Sequence, residues 1–235
     1  MLSFTHAGLT RGTTVVFDAL TLHLNEHRIG LIGDNGAGKS SLFRLACGLD
    51  TPQAGSVTVQ GEEAFRINTR KPNCVGMMFQ NPDDQIIFPT VQEELALGLT
   101  ATGLPRREAI AQARRFLAMR ALQDWAERSV NSLSQGQRQH VCWLAILLSS
   151  PALVLLDEPF ASLDLPSQAL LHADMAGVPQ PIIVSTHLLE HLQDFDRVVW
   201  LDKGRVRADG RPEAVCAAYR ADVRQRIADR TAAVS

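Results

Sequence analysis

Apolar residues along this chain come in short runs whose spacing switches between two and about 3.6, the periods of strand and helix. Strand-like runs cover residues 2–4, 15–24 with alternating apolar positions, and 28–32. The last of these enters a glycine-rich turn, after which a helix is expected from Lys39 to about Cys47, ended by Gly48. Residues 56–61 and 74–80 read as two further strands. The middle of the chain is helical: residues 90–99, then 106 to about 128 with Ile110, Ala113 and Leu117 on one face, then 135–148. Ser149-Ser150-Pro151 stops the last of these. Beyond it, strand 153–156, helix 166–176, strand 182–185 and helix 188–194 alternate. A hairpin, 197–201 and 205–208, turns around Asp202-Lys203-Gly204, and a closing helix begins near Pro212.

Buried strands alternating with helices imply an α/β fold with a parallel sheet, interrupted by a helical block over about residues 82–150. A length of 235 residues allows a core that folds without disulfides. The formal net charge of −2 gives no reason to expect nucleic acid or an anionic membrane surface as the main partner. Cys47, Cys74, Cys142 and Cys216 are too scattered to form a CxxC pair, which leaves metal binding and redox cycling unsupported. The opening residues lack the basic region and apolar run of a signal peptide. The longest apolar run, 141–148, is far short of the ~20 residues that span a bilayer. Action at a membrane therefore requires other chains to supply the membrane part.

Gly33-Asp34-Asn35-Gly36-Ala37-Gly38-Lys39-Ser40 matches G-x-x-x-x-G-K-[ST] and lies between an expected strand and an expected helix. Such a loop turns backbone N–H groups inward around phosphates, and the helix adds its positive end. Asn35, Gly36, Ala37, Gly38, Lys39, Ser40 and Ser41 are the candidate cradle, with Lys39 reaching the outer phosphates and Ser40 a ligand of Mg²⁺. The motif by itself specifies a nucleoside triphosphate, and kinases and GTPases carry it too. Downstream, Leu153-Val154-Leu155-Leu156-Asp157-Glu158-Pro159 delivers two carboxylates to the end of a buried strand, where ligands of open α/β sheets bind. Asp157 suits support of Mg²⁺, and Glu158 suits the orientation of an attacking water.

Between these motifs, Leu133-Ser134-Gln135-Gly136-Gln137-Arg138-Gln139 resembles the signature loop of ABC ATPases, usually LSGGQ. A serine and a glycine opening a helix can hold a phosphate on free N–H groups. The resemblance implies that Ser134, Gln135, Gly136 and Gln137 hold the γ-phosphate of ATP bound to an opposite subunit, with Gln135 standing where the family most often has glycine. It also identifies Gln80 as the Q-loop glutamine near Mg²⁺ and the water, Ala161-Ser162-Leu163-Asp164 as the D-loop, and His187 as the switch histidine. The implied fold is a single cassette over residues 1–235. A P-loop, RecA-like parallel-sheet core and an N-terminal antiparallel β subdomain occupy about 1–81 and 151–235, and a helical signature subdomain about 82–150. Where the family stacks adenine on an aromatic residue, this chain has Thr10-Arg11, and Arg11 is the candidate base contact.

Met78-Phe79-Gln80-Asn81-Pro82-Asp83-Asp84-Gln85, followed by Pro89-Thr90-Val91, is similar to the corresponding stretch of energy-coupling-factor (ECF) importers. That resemblance implies a pair of cassettes on the cytoplasmic face of the membrane, held by a scaffold membrane protein and serving a separate substrate-capturing membrane protein. The short C-terminal segment and the LSQGQ loop look most like the cassette of a biotin uptake system, with cobalt or nickel uptake as the alternative. Asp83 and Asp84 are expected either to meet a basic coupling helix of the scaffold or to shape the turn after Pro82. Two non-transport readings remain to be weighed. DNA-repair and ribosome-associated relatives need insertions or a second cassette that 235 residues do not hold. A nucleotide-gated scaffold without hydrolysis is disfavoured by the presence of both Glu158 and His187.

Overall fold

The computed structural model describes residues 1–161 and 163–232. Among these, ten strands form two sheets. β1 (Leu2–Arg11), β2 (Thr14–Leu24), β4 (Ala54–Val59) and the short β5 (Glu62–Glu63) make an antiparallel sheet in the order β2-β1-β4-β5. The second sheet has the order β10-β9-β3-β8-β7-β6, built from β3 (Arg28–Ile32), β6 (Val75–Met78), β7 (Leu153–Asp157), β8 (Ile182–Ser185), β9 (Arg197–Asp202) and β10 (Arg205–Gly210). All its pairings are parallel except that of the edge strand β10 with β9.

Strand β1 runs well past the expected residues 2–4. Its buried positions are Leu2 and Phe4, then Ala7 and Leu9, so the alternation skips a residue near His6, whose φ is 48°. The partner strand skips likewise at Ala19, φ 54°, between buried Phe17 and buried Leu20. Both strands bulge together, and the inward face survives the change of phase. This broken period is why residues 5–11 did not read as strand.

Successive residues of β7 feed opposite sides of the large sheet, as a pleat requires. Leu153 and Leu155 pack with Phe43 and Leu42 of α1 (Lys39–Ala46) and with the antiparallel sheet. Val154 and Leu156 pack with Trp143 of α5 (Gln135–Ser149) and Met175 of α6 (Leu165–Ala176). α5 is also buried on another face, where Val141 and Leu144 join a third cluster with α3 (Val91–Ala101) and α4 (Arg106–Ala118). It therefore rivets the helical block to the sheet.

Two expected helices need correction, and one helix was not expected. The helix expected over 106–128 ends at Ala118: Ala121 is left-handed (φ 56°), and the Leu122 N–H donates back to the Leu117 carbonyl, 2.9 Å. The returning chain then lends the carbonyls of Ala126 and Arg128 to the N–H groups of Gln92 and Val91, which the start of α3 leaves without helical partners. The helix expected over 188–194 is a single 3-10 turn, Leu189–Leu192. A helix absent from the sequence reading, α2 (Ala64–Arg70), follows β5. Its start closes on Gly48, where an added Cβ would lie 2.8 Å from the Phe65 Cα. The last element among the described residues is α7 (Pro212–Ala232).

The β9–β10 turn is wedged against the N-terminal sheet. A Cβ on Gly204 (φ +75°) would stand 1.8 Å from the Val16 carbonyl oxygen, and the Gly204 N–H donates to the Ala37 carbonyl, 3.0 Å. Gly12 has a similar φ of +58° but open space around it. Gly12→Ala should therefore cost only the left-handed strain, about 1–2 kcal/mol. Gly204→Ala should add an overpacking penalty of roughly 1–3 kcal/mol. Denaturant unfolding of the two variants measures the difference, and equal losses would contradict the wedge.

Candidate nucleotide site

β3 is apolar from Ile29 to Ile32 and then gives way to a loop of reversed backbone: φ is +147° at Gly33, +81° at Gly36 and +109° at Gly38. At two of these, space as well as conformation demands glycine. A Cβ on Gly33 would lie 2.2 Å from the Leu201 carbonyl oxygen, and one on Gly38 would lie 2.8 Å from the Phe17 ring. The loop opens into a cleft of about 670 Å³ lined by Asn35, Gly36, Gly38, Lys39, Ser40 and Ser41, together with Val16, Gln80, Asp157, Glu158 and His187. Ala37 belongs to the loop, but its side chain is buried in the hydrophobic core.

Lys39 is less than a tenth exposed, and its ammonium donates to the carbonyls of Gly33 (2.7 Å) and Asp34 (3.3 Å). Burial pulls its pKa down, while Glu158, Asp157 and Asp34 oppose that shift. Across the cleft, Asp157 ends β7 opposite Ser185 of β8. Glu158 follows in a left-handed conformation (φ 48°), with its N–H on the Ser185 carbonyl, 2.8 Å. Its carboxylate accepts the His187 backbone N–H at 3.2 Å, and Nε2 of His187 stands 3.0 Å from its Oε1. Burial pushes the Glu158 pKa up, against the pull of His187 and Lys39. The cleft thus sets the Lys39 ammonium and the His187 imidazole beside a buried carboxylate of raised basicity. A polyanion and an attacking water both fit that arrangement.

Ser134, Gln135, Gly136 and Gln137 are not part of this cleft. Ser134 caps α5 in a reciprocal box: its hydroxyl accepts the Gln137 N–H (3.3 Å), and the Gln137 side-chain oxygen accepts the Ser134 N–H (3.0 Å). Ser134, Gly136 and Gln137 line a separate groove with Trp125, Leu163 and Ser167, and Gln135 is exposed at its edge. Gly136 has a packing reason as well, since a Cβ there would come within 3.1 Å of the Ser167 hydroxyl on α6. Of the expected D-loop, Ser162 lies outside the described residues; Asp164 caps α6 by accepting the Ser167 N–H at 3.0 Å.

Arg11 requires a correction. Its guanidinium pairs with Asp50, whose carboxylate is also held by Arg44 at 2.9 and 3.1 Å, and Arg11 does not line the cleft. Val16 lines it instead. The sequence reading missed Val16, which nothing in its type or spacing set apart within the expected strand 15–24. Asp83 is also taken up inside the chain, 3.0 Å from Nε of Arg138 on α5, and its N–H donates to the Asn81 side chain at 3.2 Å. The turn after Pro82 therefore has an internal function.

The ABC transporter family matches residues 17–161, a span that holds the phosphate loop, Gln80, the α5 cap and the Asp157-Glu158 pair. The chain belongs to that family. It is similar to the biotin transport ATP-binding protein BioM of Rhodobacter capsulatus, 48% identical over 214 residues that cover 91% of this chain and 92% of the relative. The energy-coupling factor transporter ATP-binding protein EcfA of Methanoculleus marisnigri is 37% identical over 194 residues, 80% of this chain and 70% of the relative. Among solved structures, cbiO1 from Clostridium perfringens, part of the ABC transporter complex cbiONQ, superposes with a TM-score of 0.78 over 92% of this chain and 90% of that one. At 24% identity that likeness shows the fold. The cassette binds and hydrolyses ATP as an ABC ATPase. Among the described residues, no helix is long and apolar enough to cross a membrane.

The raised pKa of Glu158 sets the sign of a pH effect. In the base role expected of Glu158, the ionised carboxylate is the form that polarises water, and acidification through its pKa removes that form. The acid limb of kcat/KM for ATP should therefore lie above the ordinary glutamate value of about 4.3. A rate–pH profile of the purified cassette with an acid limb at or below that value would contradict the burial argument.

Proposed function

We propose that this cassette energises an ECF-type importer, with biotin as the cargo of its system. The identity with BioM, 48% over nine-tenths of both chains, carries this reading, and the EcfA relative and the FQNPDDQ stretch support it. Two cassettes would sit on the cytoplasmic face of the membrane against a scaffold protein and a substrate-capturing protein. Asp83 is engaged by Arg138, so Asp84, exposed beside it, is the acidic residue offered to the scaffold. Expression of the cassette with its membrane partners in a biotin-uptake-deficient strain tests the assignment. Uptake of labelled biotin that is lost with Lys39→Ala supports it, and uptake of cobalt or nickel alone would overturn the cargo.

Within the site, the hydroxyl of Ser40, the amide oxygen of Gln80 and the carboxylate of Asp157 line one cleft, and such hard oxygen donors suit Mg²⁺, which keeps several waters of its own. They would hold the ion beside the phosphates, where it would neutralise charge on the outer phosphoryl oxygens. Lys39 and the loop N–H groups bind and orient the chain of phosphates. Glu158 accepts a proton from the water and His187 holds that carboxylate in place, while Gln80 borders the same space. Glu158→Gln should keep ATP affinity and lower kcat by about 10²–10⁴-fold, the usual worth of a general base. Single-turnover hydrolysis near the wild-type rate would remove Glu158 from that role.

The signature residues line a groove apart from the phosphate cleft, which supports a site completed by a second copy of the chain. A Lys39→Ala chain and a Ser134→Arg chain each lack one half of such a site. Mixed dimers should regain one competent composite site and with it measurable ATPase activity. Mixtures as inactive as each parent, beside an active wild type, would rule out the sandwich.

A further inference from the structure

The phosphate loop is tied to the far end of the chain. The buried residues of α7 are Pro212, Val215 and Cys216, all near its start, and beyond them the helix is held by one aromatic contact and a set of polar ones. Tyr219 sets its ring edge-on to Trp200, centroids 5.2 Å apart, and its hydroxyl donates to Oδ1 of Asp34 at 2.8 Å. Arg226 grips the same carboxylate with both terminal nitrogens, 2.5 Å to Oδ2 and 3.2 Å to Oδ1. Its Nε lies 2.8 Å from Asp222, which also pairs with Arg207, and Arg207 lies over the Trp200 ring, 4.4 Å from its centroid. These contacts close a ring from the loop through α7 and β9–β10.

Asp34 is a costly residue at this point. It is the second residue of a loop whose purpose is to receive a polyanion, and its own carbonyl accepts from Lys39. A bare carboxylate here would repel the phosphates and compete with them for the Lys39 ammonium. The paired one does neither to the same degree: Arg226, above all, holds the Asp34 carboxyl below its ordinary pKa as an ion already matched. We propose that Arg226 is a positioning residue for nucleotide binding, supplied by the C-terminal helix to neutralise Asp34 and leave Lys39 free for the phosphates. This rests on the phosphate-loop reading of the cleft. It makes nucleotide affinity depend on where α7 lies.

An anchor that merely holds α7 in place would also use this contact, and the two roles differ in sign under a second substitution. Calorimetric titration of the intact cassette with ADP and Mg²⁺ should show Arg226→Ala binding about two- to fivefold more weakly, as suits a partly exposed pair, with the loss shrinking as salt is raised. In ATP turnover the loss should fall on KM rather than on kcat. Adding Asp34→Asn to Arg226→Ala removes the unmatched charge and should bring the affinity back towards wild type. A double variant as weak as Arg226→Ala, or an Arg226→Ala that binds like wild type, would overturn the proposal. Arg226→Gln, checked by thermal melting, serves should the alanine variant lose its fold. Wild type that fails to bind ADP would instead overturn the reading of the cleft itself.

Discussion

The structure turns on three charges withdrawn from water at the carboxyl ends of two parallel strands. Lys39, Asp157 and Glu158 are each less than a tenth exposed. A single ion so placed costs several kcal/mol, and only mutual compensation makes the group tolerable. β3 and β7 bring them together because Ile29–Ile32 and Leu153–Leu156 are continuous buried apolar runs in the interior of the sheet, one strand lying between β9 and β8, the other between β8 and β6. The sheet acts as a jig that aims charged ends at one cleft. Glu158 adds a left-handed backbone, a strain of the sort that concentrates at functional sites.

Around that cleft, the helical block is attached by few but specific contacts. Arg138, one turn into α5, reaches Asp83 behind Gln80, and its neighbour Gln139 donates to the Pro159 carbonyl beside Glu158, 2.8 Å. The buried carboxylate of Glu94 accepts the N–H groups of Ile87 and Phe88, both 2.9 Å, and so shapes the segment between Gln80 and α3. Through Arg138–Asp83 and Gln139–Pro159, α5 ties the segment behind Gln80 to the backbone beside Glu158. Because the capped end of α5 lies away from the phosphate loop of its own chain, the proposed pairing of two copies makes hydrolysis conditional on assembly.

Much of the site was legible in the chain itself. The loop of Gly33 to Ser40 and the apolar run ending in Asp157-Glu158 were read from residue type and spacing, Gln80 and His187 from the resemblance to ABC ATPases, and the fold brings residues of all four to one cleft. Steric and electrostatic demands there are local: glycine where φ reverses, a lysine at the start of a helix, carboxylates at the end of a buried strand. The sheet strands were legible for the same reason, since burial on two faces leaves continuous apolar runs.

What the sequence withheld was set by contacts between distant segments. Paired bulges at His6 and Ala19 broke the alternation, so most of β1 went unseen until its partner strand supplied the matching bulge. The end of α4 at Ala118 depended on a returning chain that satisfies the first N–H groups of α3. Arg11 was available to a base by type, but Asp50 took its charge, and Val16 reached the cleft instead. The motif gave Asp34 no role of its own; only the tertiary structure placed Tyr219 and Arg226, 185 and 192 residues away, on its carboxylate. Local pattern determined which chemistry the chain carries, because phosphate and water act on a few adjacent groups. Tertiary structure decided which charges stay free to act, because an ion's partner is chosen by proximity in space.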